Sequence, residues 1–541
     1  MTRKHYALAL LTAFLLWLAW PPIPYTGPVL WVALVPLLFA IDHLFEADLK
    51  KKGRKIFALS FLTFSIWNTA SIYWVFNSLH AVMPAPVAVL ISLIPFGLGA
   101  LLMATAFWIY YAFRQVLNRL WSYLALICFW ICYEYLHQSW DLAFPWMNLG
   151  NGFAQTHQLV QWYEYTGVYG GTLWVLMSNI LLFEIFRLKF NTDTISRLSY
   201  VWLSLILIPS AFSIYRYQDY QEEERPANVV VVQPNIDPYS KYGSLSASTQ
   251  LSQLIRLSDS LGQANTEYFI WPETAISEYV NEEEIRSNRN FISVQQFLTK
   301  YKNGNVLSGI ESYRTYQDAQ TPTARRMEQS GLYYDSFNAA VQMENSARVQ
   351  FYHKSKLVPG VEQLPFADAL AFLKPAFSAF GGTTGGYGRQ EKPSVFYAQS
   401  GTGVSPVICY ESIWGEYVAE SVGQGASFIA IITNDAWWGN TSGKDQHLYY
   451  AKLRAIENRR WVARSANTGI SAFINQRGDV VQQSTWWTAT ALKQDIHLNE
   501  ELTFYTRYPD LIAKAGLMGA LLLLIFGLVM MLRLRRSFQS K

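Results

Sequence analysis

The chain has 541 residues, 51% of them hydrophobic and 16% aromatic, with 15% charged and a formal net charge of +4. It is too long for one ordinary core, too apolar for water alone and too weakly basic to imply nucleic acid as a partner. Its three cysteines exclude a disulfide framework. Cys128 and Cys132 stand four apart in an apolar run with no further Cys or His at ligand spacing, so neither a metal nor a cofactor is expected.

Seven apolar runs, at about 6–21, 26–44, 57–76, 86–114, 119–139, 170–188 and 199–215, fill the first 220 residues, and an eighth, 513–533, closes the chain. Each approaches the ~20 residues that cross hydrocarbon as a helix. The first follows Arg3, Lys4 and His5 as a signal peptide would, but it lacks a small-x-small cleavage site and runs into Pro21-Pro22, so it reads as a span. Positive charge falls between alternate spans: Met1–His5, Lys50–Lys55, Arg114–Arg119 and Arg187–Arg197, with Arg533–Arg536 in the tail. The connections His80–Pro86 and Trp140–Tyr169 hold no Lys or Arg. Basic loops stay in the cytoplasm, so both termini are expected there and the long polar segment on the opposite face. The expected organisation is a seven-span membrane domain over 1–220, a polar domain over 226–500, and a closing helix with a basic tail over 511–541. Near the outer end of the fifth span lie Glu134, His137, Asp141 and the stretch Phe144–Gly150 (FPWMNLG). An ionisable group at membrane depth is a functional candidate, while Tyr133, Trp140 and Trp146 read equally as an interfacial aromatic belt.

Beyond Pro226 short β-rich runs alternate with helical patterns. Strands are expected at 229–233, 268–271, 306–311, 339–343, 404–409, 428–434, 470–475 and 488–496, and helices at 246–265 and 447–464. Such alternation indicates an α/β domain with a central sheet. The run Gly381–Gly388 (GGTTGGYG) has no preceding strand and no Lys-Ser/Thr after it, so it reads as a mobile loop and not a phosphate loop.

Three strand ends carry reactive groups: Glu273 after Trp271-Pro272, Lys354 after His353, and Cys409 after Val404–Ile408. A carboxylate, an ammonium and a thiol suffice for acyl transfer through a thioester, as base, oxyanion stabiliser and nucleophile. Alternatives stand beside each. A lone cysteine commonly only packs, and Lys356 would share a strand face with Lys354. His353 or His447 could pair with the thiol as in cysteine proteases. Asn434, Asp435, Trp437 and Trp438 either line a pocket or form a turn with packed aromatics.

These motifs, WPETA around Glu273, YHKSKLVP around Lys354, VICYES around Cys409, TNDAWWG at 433–439, the Gln446–Gly469 run and FPWMNLG, resemble the apolipoprotein N-acyltransferase family over nearly the whole chain. That family is the bacterial inner-membrane branch of the nitrilase (carbon-nitrogen hydrolase) superfamily. The resemblance implies a polytopic α-helical membrane domain of about eight spans plus an α/β nitrilase-like αββα sandwich domain in the periplasm. It implies a catalytic triad of Glu273, Lys354 and Cys409, with Glu362, Glu411 and Tyr410 supporting it. A lid aromatic falls at Tyr242, where relatives often carry Trp, and Asn434, Trp437, Trp438 and His447 are substrate or lid candidates. Gly360-Val361-Glu362 departs from the family's Phe-Gly-Glu. The implied reaction is ping-pong, without cofactor: a phospholipid in the bilayer donates the acyl chain and a diacylglyceryl apolipoprotein accepts it. A membrane-tethered amidase with the same triad, and a transporter or lipid-binding protein whose nitrilase-like domain is inactive, are the competing readings.

Overall fold

A computed structural model describes residues 1–188, 192–238, 245–367, 369 and 386–539; Tyr242 and residues 381–385 of the glycine-rich run lie outside them. The chain divides into two compact units, one of Met1–His80, Pro84–Asp219 and Asp510–Lys541, the other of Ala81–Met83 and Tyr220–Pro509.

The first unit is helical. Its helices are Arg3–Leu18, Val35–Glu46, Lys52–Ser71, Trp74–His80, Ala85–Val116, Arg119–Leu136, Val168–Arg187, Thr192–Asp219 and Leu511–Gln539. Each of the eight expected stretches holds a helix, the second only from Val35, after a 3-10 turn at Gly27–Trp31. Among the described residues five helical segments are long and apolar enough to cross a membrane, or six if Lys52–Ser71 and Trp74–His80, bent by 61°, form one span. Of the two expected spans outside that set, Arg3–Leu18 is short at 16 residues, whereas Arg119–Leu136 has 18 but is less apolar, carrying Arg119 and Glu134. Charged side chains join helix ends: Asp42 accepts Arg114 at 2.5 Å and Arg119 at 3.3 Å, and Glu184 pairs with Arg119 at 3.5 Å.

The second unit is two sheets packed face to face. Among the described residues seven consecutive strands belong to the first: β1 Pro226–Gln233, β2 Thr266–Ile270, β3 Ile276–Asn281, β4 Asn305–Tyr316, β5 Arg325–Arg326, β6 Tyr333–Glu344 and β7 Val349–His353, with β1-β2-β4-β6-β5 side by side, β3 on β4 and β7 on β6. The second holds β8 Phe396–Tyr397, β9 Gly403–Ile408, β10 Phe428–Thr433, β11 Val462–Ala466, β12 Ala472–Ile474 and β13 Val480–Gln483. The last strand, β14 Thr490–His497, returns to pair antiparallel with β1. β9, β10 and β11 are parallel. Parallel strands are covered on both faces, which is why VVVV of β1 and IAII of β10 are wholly buried.

One face of each sheet meets helices. Val230, Phe269, Val306 and Val341 pack on Leu254, Val294 and Leu298, while Val407, Ile429, Ile431 and Val462 pack on Val418, Leu448 and Ala455. The opposite faces meet each other: the Tyr268 and Phe428 rings contact edge-on at 5.2 Å, and Ser465 Oγ donates to Val232 O at 2.7 Å. The result is an αββα sandwich.

The eight expected strands are all present within a few residues. β3, β5, β8, β11 and β13 were not expected, being short or interrupted by charged and polar residues, while β7 was expected only as the strand end before Lys354. β11 also shortens an expected helix. The helix runs Ser442–Asn458, and Arg459 at φ 48° turns the chain out of it and into the strand.

Candidate active site

Glu273 leaves β2 through Trp271-Pro272, and β4 holds that turn. The Trp271 N–H donates to Leu307 O at 2.8 Å and the Gly309 N–H to Pro272 O at 3.1 Å. A Cβ on Gly309 would stand 2.3 Å from Thr274 N and 2.6 Å from Glu273 Cα, so the approach requires glycine. Lys354 lies just past β7, its N–H donating to Asn338 O at 2.9 Å.

Lys354 Nζ donates to Glu273 Oε1 at 2.9 Å and to Glu362 Oε1 at 2.8 Å. Asn338 Nδ2 donates to the same two oxygens at 2.9 and 2.8 Å. One ammonium and one amide thus bridge two carboxylates, all four side chains buried. Glu362 Oε2 accepts the Val358 N–H at 2.8 Å, closing its loop back on the lysine segment. Burial alone would pull the Lys354 ammonium down, but Glu273, Glu362 and Cys409 together hold it well above its ordinary range. Lys356, left level with Lys354 by strand alternation, is separated from it because β7 ends at His353. It is half-buried with Nζ over the Tyr417 and Trp414 rings at 5.2 and 5.9 Å, and burial lowers its pKa. Asn338 carried no sequence signal beyond its place in an apolar strand.

Cys409 is the first residue after β9 and opens the turn Cys409–Ile413. It stands at φ 51°, in the left-handed region that a residue with a side chain enters only when its surroundings hold it there. Burial pushes the thiol well up, Glu273 adds to this, and Lys354 and a hydrogen bond with Thr433 oppose it. Electrostatically, then, the thiol senses both Glu273 and Lys354. Tyr410 is buried edge-on against Trp414 at 4.8 Å. Glu411 is wholly buried and accepts four donors: the Tyr352 hydroxyl at 2.5 Å and the N–H groups of Ser355 at 2.7 Å, Lys356 at 3.3 Å and Ile408 at 2.8 Å.

The stretch after β10 lies behind the cysteine. Asn434 Oδ1 accepts Asn467 Nδ2 at 3.2 Å, Trp438 packs on His447 at 5.3 Å, and Trp437 is 42% exposed. Asn434 is thus buried, Trp438 half-buried and Trp437 exposed. Neither histidine weighed as a thiol partner is placed for that role. His353 Nε2 meets Glu282 at 2.6 Å with its ring stacked on Phe337, and the His447 ring nitrogens face Asp435, Arg464, Ser412 and the Cys409 carbonyl. In the helical unit Glu134 accepts Trp130 Nε1 and the Leu149 N–H, each at 2.9 Å, and the Thr172 hydroxyl at 2.8 Å. It braces the FPWMNLG stretch.

Comparison with known proteins places the chain in a class. Residues 228–501 match the carbon-nitrogen hydrolase family model, and residues 12–181 match that of the apolipoprotein N-acyltransferase N-terminal domain. The pairing defines a membrane protein with a nitrilase-type domain. An apolipoprotein N-acyltransferase of Chlorobaculum tepidum is 30% identical over 97% of each chain, and one of Geobacter metallireducens is 26% identical over 96% of this chain and 94% of that one. A solved amidase from Nesterenkonia sp. is 12% identical, covering 55% of this chain and 98% of its own, with a TM-score of 0.34. The chain belongs to the apolipoprotein N-acyltransferase family. It is an acyltransferase.

Proposed function

We propose that this protein moves a fatty acyl chain from a membrane phospholipid to the N-terminal amine of diacylglyceryl-cysteine in apolipoproteins, through a thioester on Cys409. The observation that carries the proposal is the buried Lys354 held between Glu273 and Glu362, with the Cys409 thiol in their field. Glu273 takes the thiol proton as sulfur attacks the phospholipid ester carbonyl. Lys354 stabilises the oxyanion that forms. Collapse breaks the ester C–O bond, and the proton passes from Glu273 to the departing lysophospholipid. The lipoprotein α-amine then attacks the thioester and gives a proton to Glu273. The amide forms, the C–S bond breaks and the proton returns to sulfur. Glu362 and Asn338 fix the lysine, and Glu411 fixes the two segments that carry lysine and cysteine.

The alternating basic loops support a reading with both termini in the cytoplasm and the catalytic domain in the periplasm of the bacterial inner membrane. Seven spans over 1–220, a catalytic domain over 226–500 and a closing span over 511–541 give that arrangement. Two lipid substrates that reach the site from the bilayer account for a helical domain far larger than a tether needs.

The test is the purified full chain in phospholipid vesicles with a synthetic diacylglyceryl-cysteine peptide. The expected products are a triacylated peptide and an equal amount of lysophospholipid. Ammonia release from small amides with no transfer would overturn the proposal in favour of an amidase.

A further inference from the structure

Behind Cys409 lies a polar cluster with no solvent contact. Thr433, Asp435, Ser412, His447 and Arg464 are each 0% exposed. Apolar residues of the same volume would pack such a space at least as well, so the cluster is to be explained by what only polar groups can do there.

Its bonds converge on the main chain of the nucleophile. On the main-chain side the Cys409 carbonyl accepts the Ser412 hydroxyl at 2.8 Å, and His447 Nε2 lies 3.1 Å from the same oxygen and 2.8 Å from Ser412 Oγ. The carbonyl can only accept, and Ser412 has one proton, already directed to it. The proton that completes the triangle therefore sits on His447 Nε2. Behind the ring, Nδ1 is 3.0 Å from Asp435 Oδ1 and 3.0 Å from Arg464 Nη2. Arg464 is itself fixed, donating to Asp435 Oδ2 and to Ile470 O, both at 2.5 Å. Beside this group the Thr433 hydroxyl donates to Asp435 Oδ1 at 2.7 Å. Asp435 thus reaches the cysteine through His447, to its carbonyl.

We infer that His447 is a positioning residue for the nucleophile: backed by Asp435 and Arg464, it clamps the Cys409 carbonyl and so holds the left-handed turn from which the thiol is presented. The inference rests on the reading of Cys409 as the acyl-carrying nucleophile. A residue at φ 51° relaxes unless its peptide groups are held, and relaxation would swing Sγ away from Glu273 and Lys354. The edge-on Trp438 ring keeps the imidazole from rotating out of the triangle. His447 faces the main chain, so it directs the thiol while Glu273 moves the proton.

The experiment uses the full-length protein in phospholipid vesicles, with Cys128→Ala and Cys132→Ala in every sample so that Cys409 is the sole thiol. Iodoacetamide alkylation of Cys409 is followed against pH, beside kcat and KM for the donor lipid. His447→Phe is expected to lower kcat roughly 10–100-fold with KM little changed, because a small misplacement of a reacting atom is costly. Its alkylation profile is expected to move by about one pH unit, and His447→Gln, which keeps a donor, to recover part of both. Folded His447→Phe with the parent's kcat and alkylation profile would overturn the inference. If that variant does not fold, Ser412→Ala decides: a fall in kcat of roughly 3–10-fold with a displaced profile supports the clamp, and an unchanged profile refutes it. A parent that transfers acyl chains without acylating Cys409 would instead overturn the nucleophile reading, and this inference with it.

Discussion

Glu411 Oε1 accepts the Ser355 N–H at 2.7 Å while its Oε2 accepts the Ile408 N–H at 2.8 Å. One buried carboxylate therefore joins the residue after Lys354 to the residue before Cys409, across the two sheets. Burial raises its pKa, and the Tyr352 hydroxyl and the backbone N–H groups of Ile408 and Ser355 counter this. Glu411→Gln puts an NH2 where one N–H must be accepted, leaving a buried donor unpaired. It is expected to lower stability by about 1–3 kcal/mol and to reduce kcat more than KM. Thermal unfolding and transfer assays on one preparation check both.

Removal of the Lys354 charge should act on the thiol as well as on the oxyanion. Lys354 lowers the Cys409 pKa, so Lys354→Met is expected to move thiol alkylation to higher pH. Transfer should fall by at least about 10³-fold, and Lys354→Arg should not restore it, because a planar fork does not fit a point held between two single oxygens.

Asn338 offers a sharper contrast. Asn338→Ala removes one of the two donors shared by Glu273 and Glu362, and kcat is expected to fall roughly 10-fold. Asn338→Asp sets a third carboxylate against those two and should fall much further, with partial recovery on mild acidification as one of the three takes up a proton.

The three strand ends at Glu273, Lys354 and Cys409 were legible because an apolar run that stops at one polar residue is a strong local signal. Glu362 and Glu411 came only with the family motifs. Asn338 was hidden because its partners are 65 and 24 residues away, and nothing in SFNAAV separates it from an ordinary strand asparagine. Arg464 was hidden for a related reason. Its charge argued against a buried strand, and only the distant Asp435 and Ile470 carbonyl make β11 possible there. Length and hydropathy counts also divide where sequence runs are continuous: the run expected as one span over 57–76 bends by 61° between Ser71 and Trp74.

Asp435 gives a pH-dependent stability with a definite sign. Burial would raise its carboxyl, but Arg464 and His447 hold it at about 2. A depressed carboxylate stabilises the fold fully above its unfolded pKa of about 4, and that contribution is lost as pH falls through 2. The contribution is about 2 kcal/mol. Asp435→Asn should be less stable than the parent at neutral pH, with the gap narrowing between about pH 4 and pH 2. Tryptophan fluorescence during thermal unfolding across that window is the check.

The central claim is a thioester on Cys409, and intact mass spectrometry of the purified protein after incubation with phospholipid tests it most directly. A single fatty-acyl increment is predicted on the native protein, removed by hydroxylamine, discharged by a diacylglyceryl-cysteine peptide and missing from folded Cys409→Ala. Acyl transfer to the peptide by folded Cys409→Ala, or an increment that hydroxylamine leaves in place, would contradict the account.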